Sequence, residues 1–228
     1  RIEGKNENLT GQGEYSTTLV LRRLSAWLDC PCPAKPARPV EAQLPGRPPN
    51  LCPGCSHRAV YYAVRQVFGD EAIYSSDIGC YTLGWLAPLH AIDTCVDMGA
   101  SITMAKGAAD AGQHPSVAVI GDSTFTHSGM TALLDAVNEK SNITVVISDN
   151  LTTGMTGGQD SAGTGRLEQI CAGLGVEPEH IRVVVPLPKN MEEIRRTIRE
   201  EIEYKGVSVI IPRRECIQTA KRHNAKKQ

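Results

Sequence analysis

Apolar residues follow two different spacings along residues 56–211, and their alternation predicts a regular succession of strands and helices. Short, continuous apolar runs such as residues 116–121 and 143–148 are typical of strands that are buried on both faces of a parallel sheet. Segments with apolar residues three or four positions apart separate these runs and predict amphipathic helices. The predicted strands are 72–76, 116–121, 143–148, 181–185 and 207–211, and the predicted helices are 56–68, 101–112, 128–139, 165–174 and 191–205. This order predicts an α/β fold with a doubly wound, mostly parallel sheet and helices on both faces.

The two ends of the chain lack this alternation. Residues 17–28 predict one amphipathic helix, but residues 30–49 are rich in proline, which blocks regular structure. We therefore predict an irregular N-terminal arm at 1–50, the α/β domain at 51–216 and a basic, solvated C-terminal tail at 217–228. The helix at 191–205 is expected to begin with a capping box, because Asn190 and Glu193 have the required spacing. Because the chain begins with Arg1 and not with Met, we expect a fragment or a processed product.

Composition excludes several classes of partner. The chain has 24 Lys and Arg against 25 Asp and Glu, a net charge of −1, so there is no electrostatic case for a nucleic-acid partner. The apolar runs are far shorter than the ~20 residues that a membrane helix needs, so no membrane partner is expected. The eight cysteines accompany no export signal, so free thiols or metal ligands in a reducing cytoplasm are expected, rather than disulfides.

Candidate chemistry lies at the ends of two successive predicted strands. Residues 116–121 run into Gly121-Asp122-Ser123, and residues 143–148 run into Asp149-Asn150. Ligands of parallel sheets gather at the carboxyl ends of the strands, so Asp122 and Asn150 are expected to lie where a ligand binds. Gly121 allows the backbone to approach that ligand closely, and the following helix start, with Ser123 and Thr124, favours an anion such as a diphosphate. An aspartate, an asparagine and a backbone carbonyl suit Mg²⁺ beside that diphosphate.

Taken together, these two strand ends resemble the thiamin diphosphate fingerprint. That fingerprint is usually written Gly-Asp-Gly, about 26 residues, Asn-Asn, whereas this chain has Gly-Asp-Ser, 25 residues, Asp-Asn. Ser123 and Asp149 are the departures, and neither replaces a position that corresponds to a metal ligand. Four stretches in order, LCPGCSHRAVYYAV (51–64), DMGASITMAKGAA (97–109), GDSTFTHSG (121–129) and DNLTTGMTGGQ (149–159), are similar to the C-terminal thiamin diphosphate domain of indolepyruvate ferredoxin oxidoreductase large (alpha) subunits.

This resemblance implies a thiamin diphosphate-binding fold and a 2-oxoacid oxidoreductase. Such an enzyme decarboxylates a 2-oxoacid oxidatively, transfers the acyl group to coenzyme A and passes electrons through iron–sulfur clusters to ferredoxin. Indolepyruvate or another arylpyruvate is the implied substrate. The implied metal ligands are Asp122, Asn150 and the carbonyl of Thr152. The implied cofactor-binding residues are Cys52, Gly54, Gly99, Ser101, Gly121, Asp122, Ser123, Thr124, Asn150, Thr152, Met155, Thr156 and Gly157. Cys55 and His57 are implied to lie close to the reacting carbon as catalytic residues.

Some assignments have alternatives. His57 and His127 both follow loops of the predicted site, and either is a candidate acid–base or a polar loop residue. Cys52 and Cys55 have ligand spacing and could form a four-thiolate site with Cys30 and Cys32. No Cys-x₂-Cys-x₂-Cys-x₃-Cys-Pro run occurs in the chain, so [4Fe-4S] clusters are expected on a partner chain or a missing segment.

The sequence contains no candidate for the second half of a thiamin site. Thiamin enzymes bind the cofactor between two domains, and the one that holds the aminopyrimidine supplies a glutamate. We therefore expect a partner, either a separate pyrimidine-domain chain or the N-terminal part of the large subunit, together with a gamma- or beta-type partner subunit, and an inactive isolated chain. Three alternatives remain: a subunit of a pyruvate or 2-oxoglutarate ferredoxin oxidoreductase, a non-oxidative thiamin-dependent decarboxylase, and a non-catalytic nucleotide- or flavin-binding module. The third is disfavoured because neither a Gly-x-Gly-x-x-Gly nor a Walker motif occurs.

Overall fold

The computed structural model describes residues 15–33, 46 and 48–225, and the chain divides into two units at residues 47 and 48. The first unit contains helix α1 (Thr17–Trp27), which confirms the helix predicted at 17–28. Its first turn is capped by the hydroxyl of Ser16, which accepts a hydrogen bond from the amide of Leu19 at 3.2 Å.

A six-stranded sheet forms the centre of the second unit. The strands are β1 (Ile73–Ser76), β2 (Thr94–Cys95), β3 (Ser116–Gly121), β4 (Ile143–Ser148), β5 (Ile181–Val184) and β6 (Val207–Pro212). Their order across the sheet is β2-β1-β3-β4-β6-β5, and every neighbouring pair is parallel. The predicted α/β fold is therefore confirmed, and only the two-residue strand β2 was missed.

Helices cover both faces of this sheet. They are α2 (Ser56–Phe68), α3 (Ala100–Asp110), α4 (Asp122–Thr124), α5 (Met130–Asn138), α6 (Leu167–Gly173), α7 (Met191–Glu203) and α8 (Ile217–Ala225). Alternate residues of β3 point in opposite directions: Val117 and Val119 pack with α2 and α7, whereas Ala118 and Ile120 pack with α3, α5 and α6. This double burial explains why the strands are continuously apolar.

Three local details differ from the prediction. The helix expected at 128–139 begins six residues earlier, because Asp122 starts α4 directly at the end of β3 and a π-helical turn (Phe125–Gly129) joins α4 to α5. The capping box at Asn190 is absent, since the Asn190 side chain instead donates to the carbonyl of Val185 at 3.0 Å. The segment predicted as a solvated tail contains α8. Over the described ranges, no helix has the length and apolar character to cross a bilayer.

Candidate functional site

A crevice opens at the carboxyl ends of β1 and β3, where the topology of the sheet reverses. The chain leaves β1 toward β2 on one side, and the following strands β3 and β4 are added on the other side. In open parallel sheets such a reversal leaves a gap between the two crossovers, and ligands bind in that gap. A pocket of about 570 Å³ lies there. It is lined by residues 78–81, 121–124 and 152–156, together with His57, Met98 and Asn150.

Asp122 is the principal charged group of this pocket. It is 2% exposed, and its Oδ2 atom is buried without a hydrogen-bond partner. Burial raises the pKa of Asp122 to about 6, although hydrogen bonds from Ser161 and from the amide of Ser123 oppose the shift. A buried, unpartnered carboxylate oxygen costs free energy, and a divalent cation would both partner and neutralise it.

Asn150 lines the same pocket as Asp122, as predicted. Gly121 of β3 and Ser148 of β4 are in register, so the two strands end level and Asp122 and Asn150 line one pocket. The Oδ1 atom of Asn150 accepts a hydrogen bond from the amide of Thr152 at 3.1 Å, which fixes the turn that follows β4. The hydroxyl of Thr152 is engaged with the carbonyl of Gln159 at 2.8 Å. The donor set that these residues offer, a carboxylate, an amide oxygen and backbone carbonyls, fits a hard cation such as Mg²⁺.

The two departures from the fingerprint each have a structural partner. Asp149 is 1% exposed and pairs with Arg213, whose Nε lies 2.5 Å from its Oδ2. Arg213 also holds Glu168 with two hydrogen bonds of 2.8 and 2.7 Å. The hydroxyl of Ser123 lies 2.8 Å from that of Thr153 and ties the helix start to the loop after β4. These departures therefore tie the elements of the pocket to one another and leave the Oδ2 atom of Asp122 without a partner.

His57 reaches the pocket from the first turn of α2. It is 3% exposed, and burial lowers its pKa to about 4, so the imidazole is neutral at neutral pH. Its ring stands edge-on to Tyr81 with 6.3 Å between the ring centroids. His127, the alternative acid–base, is exposed in the π-helical turn and bonds to Ser128 at 3.1 Å; it does not line the pocket.

Four cysteines surround a neighbouring pocket of about 520 Å³. Cys52 and Cys55 line it together with Cys80 and Cys216, and neither of the first two lines the pocket of Asp122. Cys30 and Cys32, the other candidates for a four-thiolate site, lie in the first unit. Burial raises the pKa of Cys55, and it raises that of Cys80 to about 11, so both free thiols are protonated at neutral pH. Within residues 15–33 and 48–225, no three His, Cys, Asp or Glu side chains are placed to hold a single metal ion. His57, Cys80, Asn150 and Gly154 line both this pocket and that of Asp122, so the two pockets are adjacent.

The remaining predicted residues lie outside the pocket of Asp122. Gly54 has φ +79° in the turn whose ends are joined by the amide of Cys55 and the carbonyl of Cys52 at 3.1 Å. Gly99 precedes α3 at φ +95°, and a Cβ there would lie 2.4 Å from the Oγ of Ser128. Ser101 is completely buried and bonds to Asp77 instead of facing the pocket. Gly157 accepts a hydrogen bond from Arg222 at 2.6 Å.

Sequence reasoning missed one whole wall of the pocket. The segment from Ile78 to Tyr81 follows β1, so it could have been found by the same strand-end argument that selected Asp122. Gly121 lines the pocket as predicted, and it also packs against this wall. A Cβ on Gly121 would lie 2.6 Å from Cε1 of Tyr81, so the absent side chain makes room for this ring. Met98, Thr153 and Gly154 are the other pocket residues that were not predicted.

The fold and the pocket are those of a domain that binds an anionic cofactor at a topological switch point. The chain belongs to the family described as thiamine pyrophosphate enzyme, C-terminal TPP binding domain, whose model matches residues 77–211. Thiamine pyrophosphate is another name for thiamin diphosphate. The predicted family resemblance and a thiamin diphosphate-binding domain are therefore confirmed, whereas Mg²⁺ stays a prediction.

The relatives are oxidoreductase subunits. The chain is 39% identical over 201 residues to the indolepyruvate oxidoreductase subunit IorA of Pyrococcus horikoshii, a match that covers 78% of this chain and 30% of the relative. It is 43% identical over 189 residues to the subunit of the same name from Archaeoglobus fulgidus, covering 77% of this chain and 30% of the relative. The chain thus matches about a third of the length of these relatives.

A solved structure shares the fold. The 2-oxoglutarate:ferredoxin oxidoreductase from Magnetococcus marinus superimposes with a TM-score of 0.61 at 18% identity, covering 75% of this chain and 65% of that chain. At this identity the likeness shows a common fold.

Proposed function

We propose that this chain is the diphosphate- and Mg²⁺-binding part of a 2-oxoacid:ferredoxin oxidoreductase that acts on indolepyruvate or a related arylpyruvate. The reaction is oxidative decarboxylation to an acyl-coenzyme A and CO₂, with the electrons passed to ferredoxin. The observation that carries the proposal is the buried, unpartnered oxygen of Asp122 at the switch point of a thiamine pyrophosphate-binding domain. The 39% and 43% identity to IorA subunits supports the substrate class.

The metal ligands in this proposal are Asp122, Asn150 and the carbonyl of Thr152. The amides at the start of α4, near Ser123 and Thr124, bind the diphosphate, because free amides at a helix start carry partial positive charge. Residues 155–157 continue this loop. When bound, thiamin diphosphate supplies the carbon nucleophile and the electron sink.

His57 is the proposed proton-transfer group. It lines the pocket and is neutral at neutral pH, so it can accept a proton from a reacting group without first losing one. Cys55 lines the adjacent pocket, and burial raises the pKa of its thiol. In this proposal Cys55 borders the reacting end of the site and does not attack as a thiolate.

Iron–sulfur clusters are assigned to a partner chain or to another part of the protein. On this chain, Cys52, Cys55, Cys80 and Cys216 line a pocket that adjoins that of Asp122.

A partner chain or domain completes the cofactor site on the aminopyrimidine side. Ile78, Met98 and Met155 line the pocket and are 40%, 43% and 54% exposed, and such a cluster of large apolar side chains is typical of a surface that another domain covers. The matched region is only 30% of each relative, so there is chain in those proteins to supply such a domain. The partners are this domain, a gamma- or beta-type subunit, ferredoxin and coenzyme A, and the location is the cytoplasm.

The test is calorimetric titration of thiamin diphosphate and Mg²⁺ into the full-length protein with its partner subunit. We expect Asp122→Ala to abolish binding, whereas Asp70→Ala, which removes a carboxylate that is 92% exposed, retains it. Circular dichroism checks that both variants are folded. Binding to Asp122→Ala with wild-type affinity would exclude this metal site.

Product analysis tests the reaction. With an arylpyruvate, coenzyme A and ferredoxin, the complex is expected to form acyl-coenzyme A and reduced ferredoxin. Release of the free aldehyde instead would identify a non-oxidative decarboxylase, and a preference for pyruvate or 2-oxoglutarate would correct the substrate.

A further inference from the structure

A buried hydrogen-bond network lies behind the wall of the pocket. Asp77 follows β1 and is completely buried. Its Oδ2 accepts hydrogen bonds from the hydroxyl of Ser101 at 2.7 Å and from the amide of Ser101 at 3.4 Å. Its Oδ1 accepts a short hydrogen bond from the hydroxyl of Tyr81. Every donor that holds this carboxylate therefore comes from the start of α3 or from Tyr81.

Tyr81 joins this network to the pocket. Its ring lines the pocket and fills the space beside Gly121, where a Cβ would lie 2.6 Å from Cε1. Its backbone carbonyl accepts a hydrogen bond of 2.6 Å from Tyr61, which is in the same helix as His57. One residue thus contacts the helix that carries His57 and the strand end that carries Asp122.

We propose that Asp77 and Ser101 are positioning residues for the cofactor site, and that they act through Tyr81, whose ring fixes the end of β3 beside Asp122. This proposal rests on the proposed function, because it assumes that the cofactor binds at Asp122. It also gives Ser101 a role at the site although its side chain does not face the pocket.

The physical reason is the packing of the ring against a backbone without a side chain. The Tyr81 ring is 3% exposed and packs beside Gly121, which has no side chain. Its hydroxyl bonds to Asp77 and to the carbonyl of Ile78 at 3.2 Å fix its orientation within this packing, and loss of the hydroxyl removes both bonds. A displacement of about 1 Å in groups that position a reacting ligand can cost on the order of 100-fold in rate, and we expect a smaller loss in affinity.

Calorimetry of cofactor binding to the full-length protein with its partner subunit tests the proposal without relying on turnover. We expect Tyr81→Phe to raise the dissociation constant of thiamin diphosphate with Mg²⁺ about tenfold, and Ser101→Ala to raise it by about three- to tenfold. The double variant is expected to be no weaker than Tyr81→Phe, because both changes release the same carboxylate. If the two substitutions acted independently, their effects on the dissociation constant would instead multiply.

Two matched variants separate positioning from general loss of stability. Tyr74→Phe removes a tyrosine hydroxyl that bonds to the carbonyl of Gly69 at 3.1 Å, and Ser116→Ala removes a buried serine hydroxyl that bonds to Ala105 at 2.8 Å. Neither residue lines the pocket of Asp122, so both variants are expected to bind the cofactor as the wild type does.

Each outcome decides one point. Equal dissociation constants for Tyr81→Phe, Ser101→Ala and the two controls would overturn the positioning role while leaving the proposed function intact. Multiplicative effects in the double variant would overturn the shared path through Asp77. If the wild type itself does not bind the cofactor, the proposed function fails. If Tyr81→Phe does not fold, the comparison of Ser101→Ala with Ser116→Ala decides the question.

Discussion

Replacement of Arg213 by methionine is expected to destabilise the domain more than any surface ion pair could. The guanidinium holds two carboxylates, Asp149 and Glu168, that differ in burial: the Asp149 side chain is 0% exposed and that of Glu168 is 39% exposed. Removing one partner of a buried pair leaves an uncompensated charge, at a cost of about 3–5 kcal/mol. The loss of the exposed contact to Glu168 adds about 0–1 kcal/mol. We therefore expect Arg213→Met to lower the free energy of unfolding by about 3–6 kcal/mol at pH 7.

Urea unfolding followed by circular dichroism measures this change. A second variant, Arg213→Met with Asp149→Asn, is expected to recover most of the loss because it buries no unpaired charge. Arg195→Met is the control, since Arg195 pairs with Glu192, whose side chain is 87% exposed. It should cost less than about 1 kcal/mol. A loss below about 1 kcal/mol for Arg213→Met, or a double variant as unstable as the single one, would refute the reasoning.

The same network has a predictable pH dependence. The hydrogen bonds from Arg213 lower the pKa of Glu168 below its usual range, although burial opposes the shift. A carboxyl group whose pKa is lowered by folding stabilises the protein above its unfolded pKa, and this stabilisation is lost as the pH falls through the folded value. The contribution of Glu168 is therefore complete at neutral pH and disappears in acid. In Arg213→Met this acid-dependent part of the unfolding curve should be smaller, because the largest cause of the lowered pKa is removed.

Three further predictions concern the pocket. Burial raises the pKa of Asp122 from 3.8 to about 6, so ionisation of this residue opposes folding, and the stability that the protonated form provides is lost as the pH rises through 6. In urea unfolding, Asp122→Asn should therefore stabilise the ligand-free chain by about 2–3 kcal/mol at pH 8 and have little effect at pH 3.5. Gly121→Ala places a Cβ 2.6 Å from the Tyr81 ring and should cost about 1–3 kcal/mol on thermal unfolding, and the addition of Tyr81→Leu should restore part of it; no loss would show that the ring moves freely. Ser123→Gly removes the 2.8 Å bond to Thr153, so amide exchange in residues 151–159 should accelerate about tenfold in mass spectrometry, and unchanged exchange would show that the bond does not hold the loop.

The parts of the site that sequence predicted best follow from strand geometry. Asp122 and Asn150 could be brought together in advance because neighbouring parallel strands end at one edge, and the register of Gly121 with Ser148 confirms that reasoning. The helix boundary after β3 was missed because the turn expected at Gly121 is a direct entry into α4. A glycine after a strand usually indicates a turn, but at this position a glycine is needed because the ring of Tyr81 packs against its backbone.

Residues that meet only through tertiary packing could not be predicted. Cys80 and Cys216, which follow β1 and β6, line one pocket with Cys52. The spacing of these cysteines along the sequence does not indicate this proximity. Ser101 was correctly placed at the start of α3, but its hydroxyl turns toward Asp77, since a buried carboxylate requires donors. Local pattern predicts where a residue sits along an element, whereas the direction of its side chain depends on partners from elsewhere.

The C-terminal helix limits how far the domain can be shortened. From α8, Gln218 donates a hydrogen bond to the sulfur of Cys52 at 3.3 Å, and Arg222 donates one to the carbonyl of Gly157 at 2.6 Å. The family model spans residues 77–211. A protein trimmed to that range would keep Asp122 and Asn150 but would lose His57 and these two hydrogen bonds. Expression boundaries for biochemical work on this cofactor site therefore belong outside α2 and α8.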